Sequence, residues 1–220
     1  MNNVFIIIPC YNEAEHLAKV IESVKPYGRV VVVDDGSTDN SFQIAVSSGT
    51  LVLKHLVNRG MGAALETGDR LARSQGAEIV VHFDADGQHV AEEIPLLIQP
   101  IVNNEADAVL GSRFLKPTSA IPFFKKHFIL KPAVFFQNSM LGVKLTDAHN
   151  GFRALSCHAL EKIRITQDGM AHATEIIEQI KTNNLTYQEV PVTVIYHEFG
   201  QGFLSGLKIL KDLIFGKINK

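Results

Sequence analysis

The chain is poor in cysteine, and its two cysteines, Cys10 and Cys157, are too few for a disulfide framework. Neither has the spacing of metal ligands, so a reducing, cytoplasmic compartment is the simpler interpretation. An excess of charge of one sign is also missing, because 21 Lys and Arg stand against 23 Asp and Glu, for a net charge of −2. A nucleic-acid partner is therefore not expected, since binding to a phosphate backbone requires a basic footprint.

A long apolar run is absent as well. No stretch of about 18 uncharged apolar residues occurs, so no membrane-spanning helix is expected. Of the 220 residues, 46% are hydrophobic and 20% are charged, which excludes a disordered chain and allows a sizeable core. We expect a single domain over residues 1–200, followed by an amphipathic helix over residues 201–220.

Two kinds of segment alternate along the first half of the chain. Short runs rich in Val and Ile occupy residues 4–8, 29–33, 51–53, 78–83 and 106–110. Longer segments with helical spacing occupy residues 14–24, 39–47, 61–74 and 91–103. Continuous β-branched runs between helices predict parallel strands covered on both faces, and hence a doubly wound, mainly parallel α/β sheet. A further helix is predicted at residues 171–182, and one or two strands at 185–196.

Acidic side chains follow three of the predicted strands, at the edge where open α/β sheets bind their ligands. The three blocks are Pro9-Cys10-Tyr11-Asn12-Glu13, Asp34-Asp35-Gly36-Ser37 and Asp84-Ala85-Asp86-Gly87-Gln88-His89. A single Asp at a strand end is more often a turn or cap residue. Carboxylates gathered on one rim, however, repel one another unless a cation or hydrogen-bond donors lie between them.

Asp84 and Asp86 form the sharpest local feature. Residues i and i+2 of a strand point to the same face, so both carboxylates can hold one hard cation, and Gln88 can add a neutral oxygen. Such ligands favour Mg²⁺ or Mn²⁺ shared with a phosphate-bearing substrate. The alternative is a solvated Asp–Gly turn, because an Asp-x-Asp tripeptide occurs often by chance.

A glycine-rich block, Asn58-Arg59-Gly60-Met61-Gly62, follows the third strand and opens a helix. It lacks the complete glycine spacing of a dinucleotide-binding loop. We interpret it as a place of close backbone packing near a nucleotide.

These blocks are followed in order by Gly111-Ser112-Arg113 and Thr146-Asp147-Ala148-His149-Asn150-Gly151-Phe152-Arg153. The whole series resembles the family 2 glycosyltransferases with the GT-A fold, over residues 4–196. Within that family it is most similar to the polyprenyl- and dolichyl-phosphate mannose and glucose synthases. The resemblance implies a metal-dependent, inverting transfer of a hexose from a UDP- or GDP-sugar to a polyprenyl phosphate.

The resemblance also implies a role for each matching residue. The nucleotide pocket is expected to contain Pro9, Tyr11, Glu13, Asp35 and Asp84. The ligands of Mg²⁺ or Mn²⁺ are expected to be Asp84, Asp86 and Gln88. The catalytic group is expected to comprise Arg113, Arg153, Asp147 and Glu175, with both arginines near the donor or acceptor phosphates.

The residues allow two kinds of acceptor, which require different chemistry. A sugar hydroxyl on a growing glycan needs a carboxylate base, for which Asp147 and Glu175 are the candidates. A lipid phosphate is already anionic and needs cationic groups, which suits Arg113 and Arg153. A non-catalytic, membrane-associated binding module is a third alternative, against which the retained acidic residues argue.

Two basic, amphipathic segments occupy residues 121–136 and 203–217. Such segments can lie in a bilayer interface, which predicts peripheral contact with the inner face of a membrane. Alternatively, they pack on the sheet or form a contact between copies of the chain in a homo-oligomer.

Overall fold

A computed structural model describes residues 3–115, 142–147 and 150–195. The strands are β1 Val4–Cys10, β2 Arg29–Asp34, β3 Leu51–Lys54, β4 Ile79–His82, β5 Ala108–Ser112, β6 Arg153–Ser156 and β7 Tyr187–Pro191. The helices are α1 Leu17–Val24, α2 Ser41–Ser47, α3 Met61–Ser74, α4 Ile94–Val102, α5 Cys157–Lys162 and α6 His172–Thr182. The predicted segment at 121–136 and the predicted helix at 201–220 both lie entirely outside the described residues.

The described strands form one sheet in the order β3-β2-β1-β4-β6-β5-β7. β1 runs parallel to β2 and β4, and β2 runs parallel to β3. Every residue of β1 is buried, because helices cover both faces of the sheet. Ile6 and Ile8 belong to one apolar core, whereas Phe5 and Ile7 belong to a second one on the opposite face. The predicted doubly wound, mainly parallel sheet is confirmed.

The first helix illustrates how the helices attach to this sheet. α1 buries Leu17, Val20, Ile21 and Val24, which recur at the spacing of one helical face. It begins three residues later than predicted, because the backbone N–H groups of residues 13 and 14 donate to the side chains of Ser41, at the start of α2, and Asp39, just before it. No helix in the described part of the chain is long and apolar enough to cross a bilayer.

One strand departs from the predicted pattern. β6 lies between β4 and β5 and is antiparallel to both. In this register Arg153, the first residue of β6, pairs with His82, the last residue of β4. The loop that precedes β6, with Gly151 and Phe152, is therefore brought to the carboxyl end of β4. We call the acidic residues at the carboxyl ends of β1, β2 and β4 the acidic rim: Glu13, Asp34, Asp35, Asp84 and Asp86.

Candidate active site

The loop after β1 is fastened to the loop after β2. Asn12 has a positive φ of 57°, and its N–H donates to Ser37 Oγ at 3.0 Å. The N–H of Glu13 donates to Ser41 Oγ at 2.9 Å. Between these two fastened loops, Tyr11 is 46% exposed at the end of β1.

Pro9, in contrast, is buried within β1 opposite Val33 of β2. Its place is therefore inside the sheet, one residue before the end of β1.

Asp35 joins β2 to the loop after β3. The residue is 3% exposed, and its Oδ1 lies 2.6 Å from Nδ1 of His55. The backbone N–H groups of Arg59 and Gly60 donate to the two carboxylate oxygens. Asp35 therefore holds the glycine-rich block against the end of β2.

Asp84 lies two residues beyond β4 and is fixed from two sides. Its Oδ2 is 3.0 Å from Nε2 of His89. A Cβ added to Gly151 would lie 2.6 Å from the same oxygen, so the carboxylate is pressed against the loop before β6. Burial alone would raise the pKa of Asp84, but the hydrogen bond from His89 and the charge of Arg153 lower it on balance.

Asp86 and Glu13 are two carboxyls with the opposite tendency. Burial is the first cause of the raised pKa in each, and a neighbouring carboxylate is the second: Asp84 acts on Asp86, and Asp86 acts on Glu13. A divalent cation would relieve this repulsion. The oxygens of Asp84, Asp86 and Gln88 are ligands that Mg²⁺ and Mn²⁺ accept, so these residues fit the predicted ion. In the described ranges, no three acidic, His or Cys side chains are already grouped to hold an ion unaided.

The raised pKa of Asp86 predicts how the stability of the fold depends on pH. Folding favours the protonated carboxyl, so Asp86 stabilises the fold at low pH and loses that contribution as the pH rises through its folded pKa. We therefore expect Asp86→Asn to have a higher Tm than wild type at pH 7 in EDTA, with the difference shrinking toward pH 4. Thermal denaturation across this range checks it, and a lower Tm for the variant at pH 7 would contradict the assignment.

The glycine-rich block packs against another part of the chain. The N–H of Gly62 donates to the carbonyl oxygen of Asp168 at 2.8 Å, and the guanidinium of Arg59 pairs with the Asp168 carboxylate at 3.2 Å. A Cβ on Gly62 would lie 2.0 Å from the carbonyl oxygen of Gln167. The close backbone packing predicted here is therefore present, and its partner is the segment that precedes α6.

Replacement of Gly62 by alanine tests this packing. Alanine is the better helix former by about 1 kcal/mol, yet we expect a net loss of roughly 1–3 kcal/mol in the free energy of unfolding, because its methyl group has no room. Gly169→Ala is the matched control, since nothing lies within 4 Å of its added Cβ. Urea denaturation of both variants measures the difference, and equal stabilities would show that the segment gives way.

Arg113 and Asp147 form a two-point ion pair at the end of β5. The Nε and Nη2 atoms of Arg113 donate to the two carboxylate oxygens of Asp147 at 2.7 and 2.8 Å. Asp147 is buried, and its backbone N–H donates to Glu189 of β7 at 3.0 Å. Glu189 also accepts from the N–H and hydroxyl of Thr146. Asp147 is thus the partner of Arg113, and its carboxylate is already committed.

Arg153 is brought to the site but not to its surface. It is 2% exposed, and its Nε and Nη2 donate to the carbonyl oxygens of Gly151 and Asn150, at 3.2 Å each. Burial lowers its pKa, whereas the charges of Asp84 and Asp69 act in the opposite direction. Its position is that of an internal counter-charge for two carboxylates, which differs from the position expected of a phosphate ligand.

Glu175, in the first turn of α6, is also engaged. Its carboxylate accepts from the N–H and hydroxyl of Thr166 and from the N–H of Gln167. Residues 167 and 168 pack on Gly62, so Glu175 holds in place the segment against which the glycine-rich block packs.

Two residues that belong to this arrangement were not predicted. His89 stands inside the Asp84 block, so its place in the motif was a usable signal. Glu189 lies in β7, far from any motif, and only the three-dimensional pairing of β7 with β5 reveals its contact with the Asp147 segment.

The fold is shared with the crystal structure of glucosyl-3-phosphoglycerate synthase from Mycobacterium tuberculosis, in complex with Mn²⁺, UDP and phosphoglyceric acid. The TM-score is 0.71 at 20% sequence identity, over 97% of this chain and 78% of that one. The same synthase has been crystallised with Mg²⁺ and UDP. The class that this architecture defines is the GT-A fold.

The sequence comparison narrows this class to a family. Residues 5–164 match the model of glycosyl transferase family 2, so the chain belongs to that family and is a glycosyltransferase. A UDP-N-acetylglucosamine–dolichyl-phosphate N-acetylglucosaminyltransferase of Methanococcus voltae is 32% identical, over 99% of this chain and 97% of its own length. A polyprenol monophosphomannose synthase of Mycolicibacterium smegmatis is 30% identical, over 93% of this chain and 82% of its own length.

Proposed function

We propose that this glycosyltransferase moves a hexose from a UDP- or GDP-sugar to a polyprenyl phosphate, with inversion at the anomeric carbon. The observation that carries the choice of acceptor is the engagement of both predicted bases. Asp147 is bound by Arg113, and Glu175 is bound by the segment that begins at Thr166. A hydroxyl acceptor needs a base to remove its proton, whereas a phosphate is nucleophilic as it stands. The names of the relatives from Methanococcus and Mycolicibacterium agree with a polyprenyl-type acceptor.

The rim supplies the donor site in this proposal. Tyr11 and Glu13 border the base and ribose, and Asp84 faces the ribose. Asp84, Asp86 and Gln88 would hold Mg²⁺ or Mn²⁺, which when bound neutralises the negative charge that builds on the diphosphate leaving group.

Arg113 is the proposed phosphate-orienting group. A guanidinium presents a planar set of donors that matches phosphate oxygens. Asp147 accepts hydrogen bonds from both Nε and Nη2, so the ion pair fixes the orientation of the guanidinium plane at the end of β5.

We further propose that the acceptor is reached by peripheral contact with a membrane. The support is the basic, amphipathic pattern of residues 121–136 and 203–217, since a polyprenyl chain resides in the bilayer.

A transfer assay tests the proposal. The enzyme is incubated with Mn²⁺, a panel of labelled UDP- and GDP-sugars, and undecaprenyl phosphate in detergent. Undecaprenol, which ends in a hydroxyl, is the matched control acceptor. We expect labelled lipid from the phosphate alone, with an anomeric configuration opposite to that of the donor. Product from undecaprenol would demand a base and contradict the proposed acceptor chemistry, and donor binding without lipid product would move the acceptor to a glycan hydroxyl.

A further inference from the structure

His89 has a place in the site that goes beyond the roles assigned so far. Its side chain is 4% exposed, and its Nε2 lies 3.0 Å from Oδ2 of Asp84. Among the described residues, no other side chain donates a hydrogen bond to the Asp84 carboxylate.

The imidazole ring is held in one orientation by two buried phenylalanines. Its centroid is 5.6 Å from the ring of Phe83, at 70°, and 5.0 Å from the ring of Phe152, at 35°. The two phenylalanine rings themselves meet edge to face, with centroids 5.1 Å apart. The backbone is restrained as well, because His89 bridges to Val194 and the carbonyl of Gln88 accepts from Ile195. The direction in which Nε2 points is therefore determined by packing.

The other ring nitrogen identifies the tautomer. Nδ1 of His89 is buried and has no hydrogen-bond partner among the described residues. A proton on Nδ1 alone would leave a buried donor unsatisfied and would turn the lone pair of Nε2 toward a carboxylate, and both arrangements are unfavourable. The proton therefore belongs on Nε2, which donates it to Asp84.

From this geometry we propose that His89 is a positioning residue for Asp84. The Nε2–H bond holds Oδ2, and the backbone at Gly151 closes the other side of the same oxygen. The carboxylate is then presented to the ribose and the cation in one orientation. Partners of this kind affect metal affinity through the ligand that they orient. The inference rests on the proposed function, because it takes Asp84 as part of the donor and metal site.

Two substitutions separate the hydrogen bond from the packing. His89→Gln places an amide N–H near the position of Nε2, whereas His89→Phe keeps an aromatic ring between Phe83 and Phe152 but has no donor. Binding of Mn²⁺ to the purified protein with UDP or GDP, followed by electron paramagnetic resonance, gives a readout without turnover. We expect His89→Phe to weaken Mn²⁺ binding by about 10–100-fold and to raise the donor KM, and His89→Gln to stay close to wild type.

Three results would overturn the proposal: wild-type Mn²⁺ affinity in His89→Phe, equal losses in both variants, or a wild-type ring without a proton on Nε2. The last is measured on the unaltered protein by ¹⁵N NMR of the histidine rings, so a variant that fails to fold does not remove the test. Asp86→Asn separates this inference from the proposed function. If that variant retains Mn²⁺-dependent transfer, the metal site itself is wrong, whereas an inactive Asp86→Asn beside an unaffected His89→Phe refutes only the positioning role.

Discussion

Asp86→Asn is expected to reduce sugar transfer by roughly a thousandfold or more while the fold is retained. The substitution replaces a charged oxygen ligand by a neutral amide at the centre of the proposed cation site. A divalent ion at a leaving group contributes several kcal/mol, and each 1.36 kcal/mol corresponds to about a tenfold change in rate. Because the same substitution is expected to raise the Tm in EDTA, a loss of activity could not be ascribed to unfolding. Initial rates at saturating Mn²⁺ measure the effect.

Glu22→Gln is the matched control for this experiment. Glu22 lies on α1, its side chain is 66% exposed, and its partner is Lys25 in the following turn. Removal of one exposed carboxylate there changes the net charge by the same amount but leaves the rim untouched, so we expect wild-type turnover. Equal rates for Asp86→Asn and Glu22→Gln would remove Asp86 from the metal site.

Arg153→Met is expected to lower the free energy of unfolding by about 3–5 kcal/mol. The methionine fills much of the same volume, but the buried Asp69 and the partly buried Asp84 are left without the charge of Arg153. For a chain of this length, 1 kcal/mol corresponds to about 2–4 °C in Tm, so the shift is well within the range of calorimetry. The loss is a large part of the stability of an ordinary domain.

Arg70→Met provides the comparison, because Arg70 is an exposed residue of α3, and we expect a change within about 0.5 kcal/mol. The pair of variants also distinguishes the two roles considered for Arg153. A residue that only bound phosphate would change KM and leave Tm unaltered. That outcome would contradict the internal position described above.

The first half of the fold could be predicted because its signals are local. Buried parallel strands read as continuous β-branched runs, and the helices between them repeat apolar residues at their own period. The predicted start of α1 was early because the Glu13 and Ala14 amides are bound by Ser41 and Asp39, which no local pattern indicates. β6 was missed because it has only four residues and is defined by neighbours far away in the sequence.

The candidate site also divides into features with a local sequence signal and features that depend on distant parts of the chain. The position of the acidic rim was predictable, since the carboxyl ends of parallel strands meet at one edge of a sheet. The state of individual side chains was not. Arginine is a common phosphate ligand, but Arg153 is buried, where it is acted on by the charge of Asp69 in the distant helix α3. Glu175 reads as a base until its contacts with Thr166 and Gln167 are seen.

The antiparallel strand β6, which lies between β4 and β5, also affects how the protein is made. β2, β3 and β4 can assemble as they leave the ribosome, because each finds a parallel neighbour among the strands already synthesised. β5 cannot, since both of its neighbours, β6 and β7, are synthesised after it. Until then, β4 and β5 present unpaired apolar edges of the kind that favours aggregation. Phe152, which packs against His89, arrives with the same late segment, so the acidic rim is completed only after the chain that leads into β6 has been synthesised.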